Sequence, residues 1–207
     1  MDVGTASRLL SALRSGLPPT IRVLSVEPAP SGFHARHSCT AKRYVYSVRE
    51  GGNPSPFEAR WCWAPTRRPT QFDLGAMQRV ASKLTGSHDF SRFAKLLPGD
   101  PREVVKNMRE LRVERAALAA PATGCEADAS GAMVTITATC DRYLWHMMRR
   151  IVGTLVEVGL GRMPEGTAAA LVQPGAGAGV VVPTAPAQGL CLDEVLYEPG
   201  GAAATPA

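Results

Sequence analysis

The chain has 207 residues, of which 45% are apolar and 20% charged, so it can bury a core and disorder is not expected. No apolar run approaches the roughly 18 residues of a membrane span, and no charged start followed by an apolar stretch marks export. We therefore expect a soluble intracellular protein with no membrane segment, in a compartment that the sequence does not specify (cytoplasm, nucleus or organelle).

The net charge of +5 is unevenly distributed. Residues 1–115 hold 19 Lys and Arg against 10 Asp and Glu, whereas residues 116–207 hold 4 against 8. A basic region of this kind suggests a polyanionic partner such as RNA or DNA. A basic surface that only keeps the protein soluble would give the same pattern, so charge alone leaves both interpretations open.

The cysteines and histidines do not indicate a metal site. The five cysteines include no CxxC pair, which is typical of reduced thiols. His34, His37 and Cys39 lie close together in the sequence, but structural zinc usually needs two spaced pairs of ligands and no second pair follows. We expect no metal site.

In chain order, the first predicted elements are a helix over residues 7–15 and a strand over 21–26. A second strand covers residues 42–48, where Tyr44 and Tyr46 share one face because strand side chains alternate. A loop follows at residues 51–56.

Residues 73–84 have the spacing of an amphipathic helix that begins after an Asp73 N-cap. Residues 109–115 are predicted to form a strand and 121–131 a loop. The stretch 133–139 alternates and is rich in β-branched residues, which predicts another strand.

A helix over residues 143–160, a loop at 174–179 and a last strand at 190–196 complete the predicted elements. Strands and helices are mixed without a regular βαβ rhythm. This order favours an α+β fold, with an antiparallel sheet and helices packed on one of its faces.

The predicted helix 143–160 carries a polar stripe on an otherwise apolar surface. The stripe consists of His146, Arg149, Arg150, Gly153 and Glu157. A buried arginine needs a carboxylate or phosphate partner. A structural ion pair would satisfy that need as well as a ligand. Gly153 suits the close approach of another backbone or of a ligand.

Residues 33–46 interleave cations with aromatic rings. That composition suits a nucleic-acid strand, since cations meet phosphates and an aromatic ring stacks on a base. An exposed basic strand with two core tyrosines is the alternative.

Six segments together resemble the TruA-type tRNA pseudouridine synthase family, in order and over about residues 5–198. They are F-H-A-R at 33–36 leading into K-R-Y-V-Y at 42–46, P-S-P-F at 54–57, G-S-H-D-F-S-R-F at 86–93, K-N-M-R-E-L-R-V at 106–113, Y-L-W-H-M-M-R-R-I-V-G at 143–153 and P-T-A-P-A-Q-G-L-C-L at 183–192. Any one segment is modest evidence for the family. Six segments in the same order and at sensible spacings are specific evidence for it.

The resemblance implies conversion of uridine to pseudouridine in the anticodon stem-loop of tRNA, without cofactor or metal. In that family an aspartate acts at the ribose C1′, the glycosidic bond breaks, and the freed uracil rejoins through C5. The target nucleotide must be flipped from its stack. The implied partners are tRNA and, in the full-length protein, a second copy in a homodimer.

The resemblance also assigns residues. Tyr44 matches the tyrosine that packs against the target uracil and is the candidate for removing the C5 proton. Arg149 matches the arginine that pairs with the catalytic aspartate and holds it ionised, and Leu190 lies near the pocket floor. The remaining RNA-contact candidates are Arg36, Lys42, Arg43, His146 and Arg150.

One family motif is missing from these 207 residues. The nucleophilic aspartate belongs to a G-R-T-D-x-G-V-H-A run, which does not occur here, and Asp2 is rejected as a substitute. We therefore expect residues 1–30 to be the remnant of an incomplete N-terminal half, residues 31–198 to be the C-terminal half, and residues 199–207 to be a disordered tail.

Three functional interpretations follow from the missing motif. The first is an isomerase of this family that is inactive as the truncated chain. The second is a non-catalytic RNA-binding relative, and the third is a chain without function.

Overall fold

A computed structural model describes most of the chain. The described residues are 3–51, 54–65, 71–96, 100, 102–117, 131–173 and 179–197. They fall into two compact units, Met1–Cys39 with Tyr197–Ala207 and Thr40–Leu196. The loops predicted at 121–131 and 174–179 and the predicted tail fall almost wholly outside the described residues.

The first unit contains one long helix, α1, over Val3–Gly16. The strand predicted at 21–26 is wrong, since these residues form no regular element. The Arg14 guanidinium donates to the carbonyls of Val23 and Leu24 at 3.0 and 2.9 Å. The carbonyls that a strand would offer to a neighbour are therefore bonded to a side chain, which competes with sheet formation.

The second unit is built on a five-stranded antiparallel sheet of order β2-β3-β4-β1-β5. Its strands are β1 (Cys39–Glu50), β2 (Gly86–Asp89), β3 (Val105–Ala117), β4 (Ala132–Cys140) and β5 (Leu190–Tyr197), the last of which ends in the first unit's Tyr197. The predicted α+β fold is confirmed.

Three helices complete the second unit: α2 (Leu74–Leu84), α3 (Met147–Gly159) and α4 (Glu165–Ala170). Helices α2 and α3 share the main core with the sheet, through residues such as Met77, Ile136 and Leu155, each fully buried. A Cβ on Gly159 would lie 2.6 Å from the Met77 sulfur, so these two helices touch where α3 ends. No described helix is long and apolar enough to span a bilayer.

Several boundaries differ from the sequence-based predictions. Helix α3 begins at Met147 rather than at residue 143, because His146 has a left-handed backbone with φ of 67°. Strand β2 and helix α4 were not predicted. Strand β2 reads Gly-Ser-His-Asp and has no alternating apolar pattern, and α4 is only six residues long.

The start of α2 provides a test of local stability. The Asp73 carboxylate accepts a hydrogen bond from the Ala76 N–H at 2.8 Å, which confirms the predicted N-cap. Replacing Asp73 with Ala should lower the free energy of unfolding by about 1 kcal/mol, because a helical N–H loses its acceptor. Asp73→Asn keeps an acceptor and should leave stability nearly unchanged in urea unfolding. Equal losses in both variants would contradict the capping role.

Candidate active site

A cleft of about 550 Å³ opens at the N-terminal end of α3. Its lining includes side chains from three elements and from the turn that precedes α3. They are Tyr44 from β1, Arg149 from α3, Leu190 from β5, and Tyr143, Trp145 and His146 from the turn. The volume is within the usual range of small-ligand sites.

Tyr44 forms the β1 side of the cleft and is half-buried. Its ring meets the edge of the Tyr143 ring, with centroids 4.8 Å apart and an interplanar angle of 79°. The Tyr143 hydroxyl donates to the Ala138 carbonyl at 2.8 Å, and burial raises the pKa of Tyr143, so it stays a protonated donor. The Tyr44 ring thus packs against a neighbour whose own hydroxyl is hydrogen-bonded to β4.

Arg149 lies in the first turn of α3 and is half-buried at the cleft. Its Nε donates to the Ala185 carbonyl at 2.6 Å, and its own carbonyl accepts from the Ala185 N–H at 3.0 Å. No described carboxylate lies within salt-bridge distance of its guanidinium. The side chain is oriented by a backbone carbonyl and turned toward the cleft, where an anion would be its natural partner.

The segment 183–189 reaches this position because of Gly153. A Cβ on Gly153 would lie 2.4 Å from the Pro183 carbonyl oxygen, closer than any side-chain carbon tolerates. The predicted close approach at Gly153 is therefore an approach of another backbone. This contact lets Ala185 reach Arg149 and delivers Leu190 to the cleft.

His146 stands at the mouth of the cleft in a strained conformation. It is the one non-glycine residue with positive φ in the described part of the chain. Desolvation and the nearby cations Arg149, Lys95 and Arg150 lower the pKa of His146, so the ring is neutral near pH 7. A phosphate entering here would meet a group whose charge depends on pH.

Two other RNA-contact candidates, Arg150 and Arg43, have structural partners. Arg150 donates to the Ala94 carbonyl at 2.6 Å and does not line the cleft. Arg43 lies on the opposite face of β1 from Tyr44 and pairs with Glu194 at 2.5 Å. Arg149 and Arg150 are adjacent, so their side chains leave the helix in different directions. The predicted polar stripe therefore splits into a residue that lines the cleft, Arg149, and a residue that binds the Ala94 carbonyl, Arg150.

The last two RNA-contact candidates, Lys42 and Arg36, do not line the cleft. Lys42 shares the face of β1 with Tyr44 by strand alternation and is half-buried. Arg36 belongs to the first unit, where it is exposed and its N–H donates to the His34 Nδ1 at 3.2 Å. The functional roles of all these side chains stay predictions.

The cleft also contains side chains that the sequence did not single out. Tyr143, Trp145 and Arg102 all line it. Lys95 lies over the Trp145 ring, with its Nζ 4.9 Å from the centroid. Tyr143 and Trp145 stand in the matched segment 143–153, which was the one signal that could have pointed to them. Arg102 lies in no matched segment.

The charge environment of His146 predicts a measurable titration. Its pKa should lie below 6.5 in an NMR titration of the ring protons. Lys95→Ala removes one cation beside the imidazolium, so the protonated form becomes less unfavourable and the pKa should rise toward its ordinary value. Lys83→Ala is the control, because Lys83 is not among the groups that act on His146. A His146 pKa unmoved by the loss of Lys95 would contradict the described cation cluster.

Known proteins resemble the chain over most of its length. The family described as tRNA pseudouridine synthase matches residues 80–198. Proteins named tRNA pseudouridine synthase A from Chlorobaculum tepidum, Myxococcus xanthus and Moorella thermoacetica are 34%, 36% and 38% identical to it. These alignments cover 92%, 92% and 90% of this chain and 68%, 65% and 68% of the relatives, so the chain spans about two thirds of their length. The chain belongs to the tRNA pseudouridine synthase family.

Proposed function

We propose that this chain supplies the uridine-binding cleft of a tRNA pseudouridine synthase that acts on the anticodon stem-loop. The observation that carries the proposal is the convergence of Tyr44, Arg149 and Leu190, from three separate elements, on one cleft. These are the residues that the family resemblance assigns to the uracil, the catalytic carboxylate and the pocket floor. Relatives that are 34% and 36% identical to this chain are named tRNA pseudouridine synthase A.

In this proposal the cleft receives a uridine that has been flipped out of its stack. The ring of Tyr44 packs against the uracil, and the Leu190 side chain provides an apolar surface below it. The Tyr143 ring, held by its bond to Ala138, keeps the Tyr44 ring from turning away. Binding therefore uses rigid aromatic surfaces, which lose little conformational freedom when the base enters.

The chemical step needs a carboxylate at C1′ of the ribose. Attack there forms a bond between the carboxylate oxygen and C1′ and breaks the N1–C1′ bond. After the uracil turns, C5 bonds to C1′ and the carboxylate leaves, so the carboxylate is regenerated. The C5 proton then leaves to a base, for which Tyr44 is the candidate, and N1 gains a proton. Arg149 would hold the carboxylate ionised and oriented, as a cation beside a carboxylate favours its charged form.

The described lining of the cleft contains no carboxylate. The aspartate must therefore come from a segment with the G-R-T-D-x-G motif, which the 207 residues do not contain. This same observation favours a second candidate function, a non-catalytic RNA-binding relative. In either case tRNA is the proposed partner. A homodimer of the full-length protein is part of the first proposal.

RNA binding is expected to follow the face of β1 that carries Tyr44. Replacing both Lys42 and Arg43 with Ala should weaken tRNA binding and flatten its salt dependence, because fewer counterions are released. The single Lys42→Ala change should account for most of this effect and reduce the log–log salt slope by about 1. Affinities at several salt concentrations, measured by filter binding, provide the test.

Arg43→Ala is the matched control, since Arg43 is the next residue along β1 and is paired with Glu194 on the other face. It should change the affinity and the salt slope little. Equal losses in the two single variants would contradict an RNA path confined to the Tyr44 face. An unchanged double variant would exclude both residues as contacts.

The proposal predicts that catalysis, unlike tRNA binding, requires the segment that carries the aspartate. The 207 residues alone should form no detectable pseudouridine on tRNA, because Tyr44 and Arg149 cannot replace a carboxylate at C1′: a phenol is mostly protonated near neutral pH and arginine stays cationic. Adding a segment with the G-R-T-D-x-G motif, taken from a relative, should restore turnover. Pseudouridine is measured by mass spectrometry of the digested tRNA.

Changing the aspartate of the added segment to alanine should abolish that turnover while tRNA binding persists. Arg149→Lys in the active form should reduce turnover, since a point charge replaces the fixed guanidinium fork. Robust turnover by the 207 residues alone would refute the assignment and redirect the search to their own carboxylates. Inactivity of the extended form, with tRNA still bound, would favour the RNA-binding relative.

A further inference from the structure

Tyr46 is a buried phenol that the proposed chemistry leaves unused. It lies two residues from Tyr44 on the same face of β1 and is fully buried. Its ring packs edge-on against Trp63, with centroids 6.5 Å apart. Its hydroxyl donates to the Pro186 carbonyl at 2.7 Å. A buried hydroxyl with one fixed acceptor restrains that acceptor.

The acceptor belongs to the segment 183–189, which has no regular secondary structure. On one side the segment is bound to α3, through the two hydrogen bonds between Arg149 and Ala185 and the close approach at Gly153. On the other side it is bound to β1, where the Ser47 N–H donates to the Gly189 carbonyl at 2.9 Å. The segment therefore bridges the helix that carries Arg149 and the strand that carries Tyr44.

Gly189 brings the segment against the Tyr46 ring. A Cβ there would lie 2.6 Å from the Tyr46 Cε1 and 2.7 Å from the Ser47 oxygen. No other residue type could lie this close without moving the ring or the strand. The Tyr46 phenol is thus enclosed by the segment as well as bonded to it.

Arg149 and Tyr46 donate to two consecutive carbonyls, those of Ala185 and Pro186. The residue between these carbonyl groups is a proline, whose ring locks φ, and a proline also restricts the residue before it. The intervening peptide is planar. Between the two carbonyls only ψ of Pro186 is left to rotate, so the direction of the Ala185 carbonyl is coupled to that of the Pro186 carbonyl through a single torsion.

We propose that Tyr46 is a positioning residue: its hydroxyl fixes the Pro186 carbonyl, and through the adjoining Ala185 carbonyl it sets the direction of the Arg149 guanidinium in the cleft. Tyr46 touches neither the uracil nor the carboxylate. It acts through Arg149, and its importance for the reaction rests on the proposed function. Leu190, which follows the segment directly, is held in the cleft by the same bridge.

The protonation of Tyr46 suits this role. Burial raises the pKa of Tyr46 well above its ordinary value, although the nearby Arg149 acts in the opposite direction. The phenol therefore stays a protonated donor near neutral pH. Tyr44, two residues earlier, lines the open cleft instead. One strand face thus provides one tyrosine for the substrate and one for the support beneath it.

The experiment follows the Arg149 Nε–H by NMR in the uniformly labelled 207-residue chain, with the signal assigned by its loss in Arg149→Lys. The bonded Nε–H should exchange slowly with water in the unaltered chain. In Tyr46→Phe the exchange should accelerate about five- to tenfold, as expected when one hydrogen bond of ordinary net strength stops restraining the carbonyl. The chemical shift of the signal should move as well.

Tyr143→Phe is the matched control. It also removes a phenol that donates to a backbone carbonyl, that of Ala138 on β4, and should cost similar stability. Its Arg149 Nε–H exchange should stay as in the unaltered chain, which separates positioning from general loosening. An unchanged Arg149 signal in Tyr46→Phe would overturn the proposal, as would equal acceleration in both variants.

A second variant keeps the test decisive if Tyr46→Phe does not fold. Gly189→Ala retains the hydroxyl but pushes the segment away from the Tyr46 ring, and should accelerate the same exchange. An unaltered exchange rate in folded Gly189→Ala would overturn the proposal. The NMR readout needs no RNA. If the unaltered chain did not bind tRNA, the proposed function would be contradicted. The positioning of Arg149 by Tyr46 would still be tested by the Nε–H signal.

Discussion

The cleft depends on the close contact between α3 and the irregular segment 183–189. Gly153 allows the Pro183 carbonyl to approach the helix, and Arg149 then exchanges two hydrogen bonds with Ala185. The same segment is held on its other side by β1, through the Ser47 N–H and the Tyr46 hydroxyl, and it leads directly into Leu190. The absence of a side chain at Gly153 thus helps to determine where three candidate site residues meet. The physical basis is steric exclusion: only glycine leaves room for a backbone at that distance.

Side chains alternate between the two faces of a β-strand, so neighbouring residues of β1 contact different surroundings. Tyr44 and Tyr46 lie on one face of β1, where Tyr44 lines the cleft and Tyr46 is buried in the core. Arg43 lies on the other face and pairs with Glu194. A segment that reads as one mixture of cations and aromatics therefore contributes to two different surfaces. The same separation occurs on α3, where Arg149 faces the cleft and Arg150 binds the carbonyls that precede Lys95. Residues that are neighbours in sequence make different contacts because their side chains leave the backbone in different directions.

Much of the fold was predictable from local pattern. The long strands at 42–48, 109–115 and 133–139 and the helix at 73–84 have clear periodicity, and each lies within an element of the structure or beside its predicted cap. The strand at 21–26 failed because Arg14, from an earlier helix, binds its carbonyls. Strand β2 was not predicted because it has only four residues, Gly-Ser-His-Asp, which show no alternation of apolar and polar side chains. The start of α3 was placed too early because the left-handed backbone of His146 has no sequence signal of its own.

The sequence by itself determined the family and the α+β class, and the resemblance assigned candidate site residues whose roles stay predictions. It also indicated that Gly153 must face something close and that Arg149 needs a partner. Only the tertiary structure decided that both are satisfied by one irregular segment, that Arg150 and Arg43 have structural partners, and that Tyr46 bonds the carbonyl next to the one held by Arg149. The reason is physical. Periodicity and composition report what each residue needs within a few neighbours along the chain, whereas these contacts join residues that are 30 to 151 positions apart.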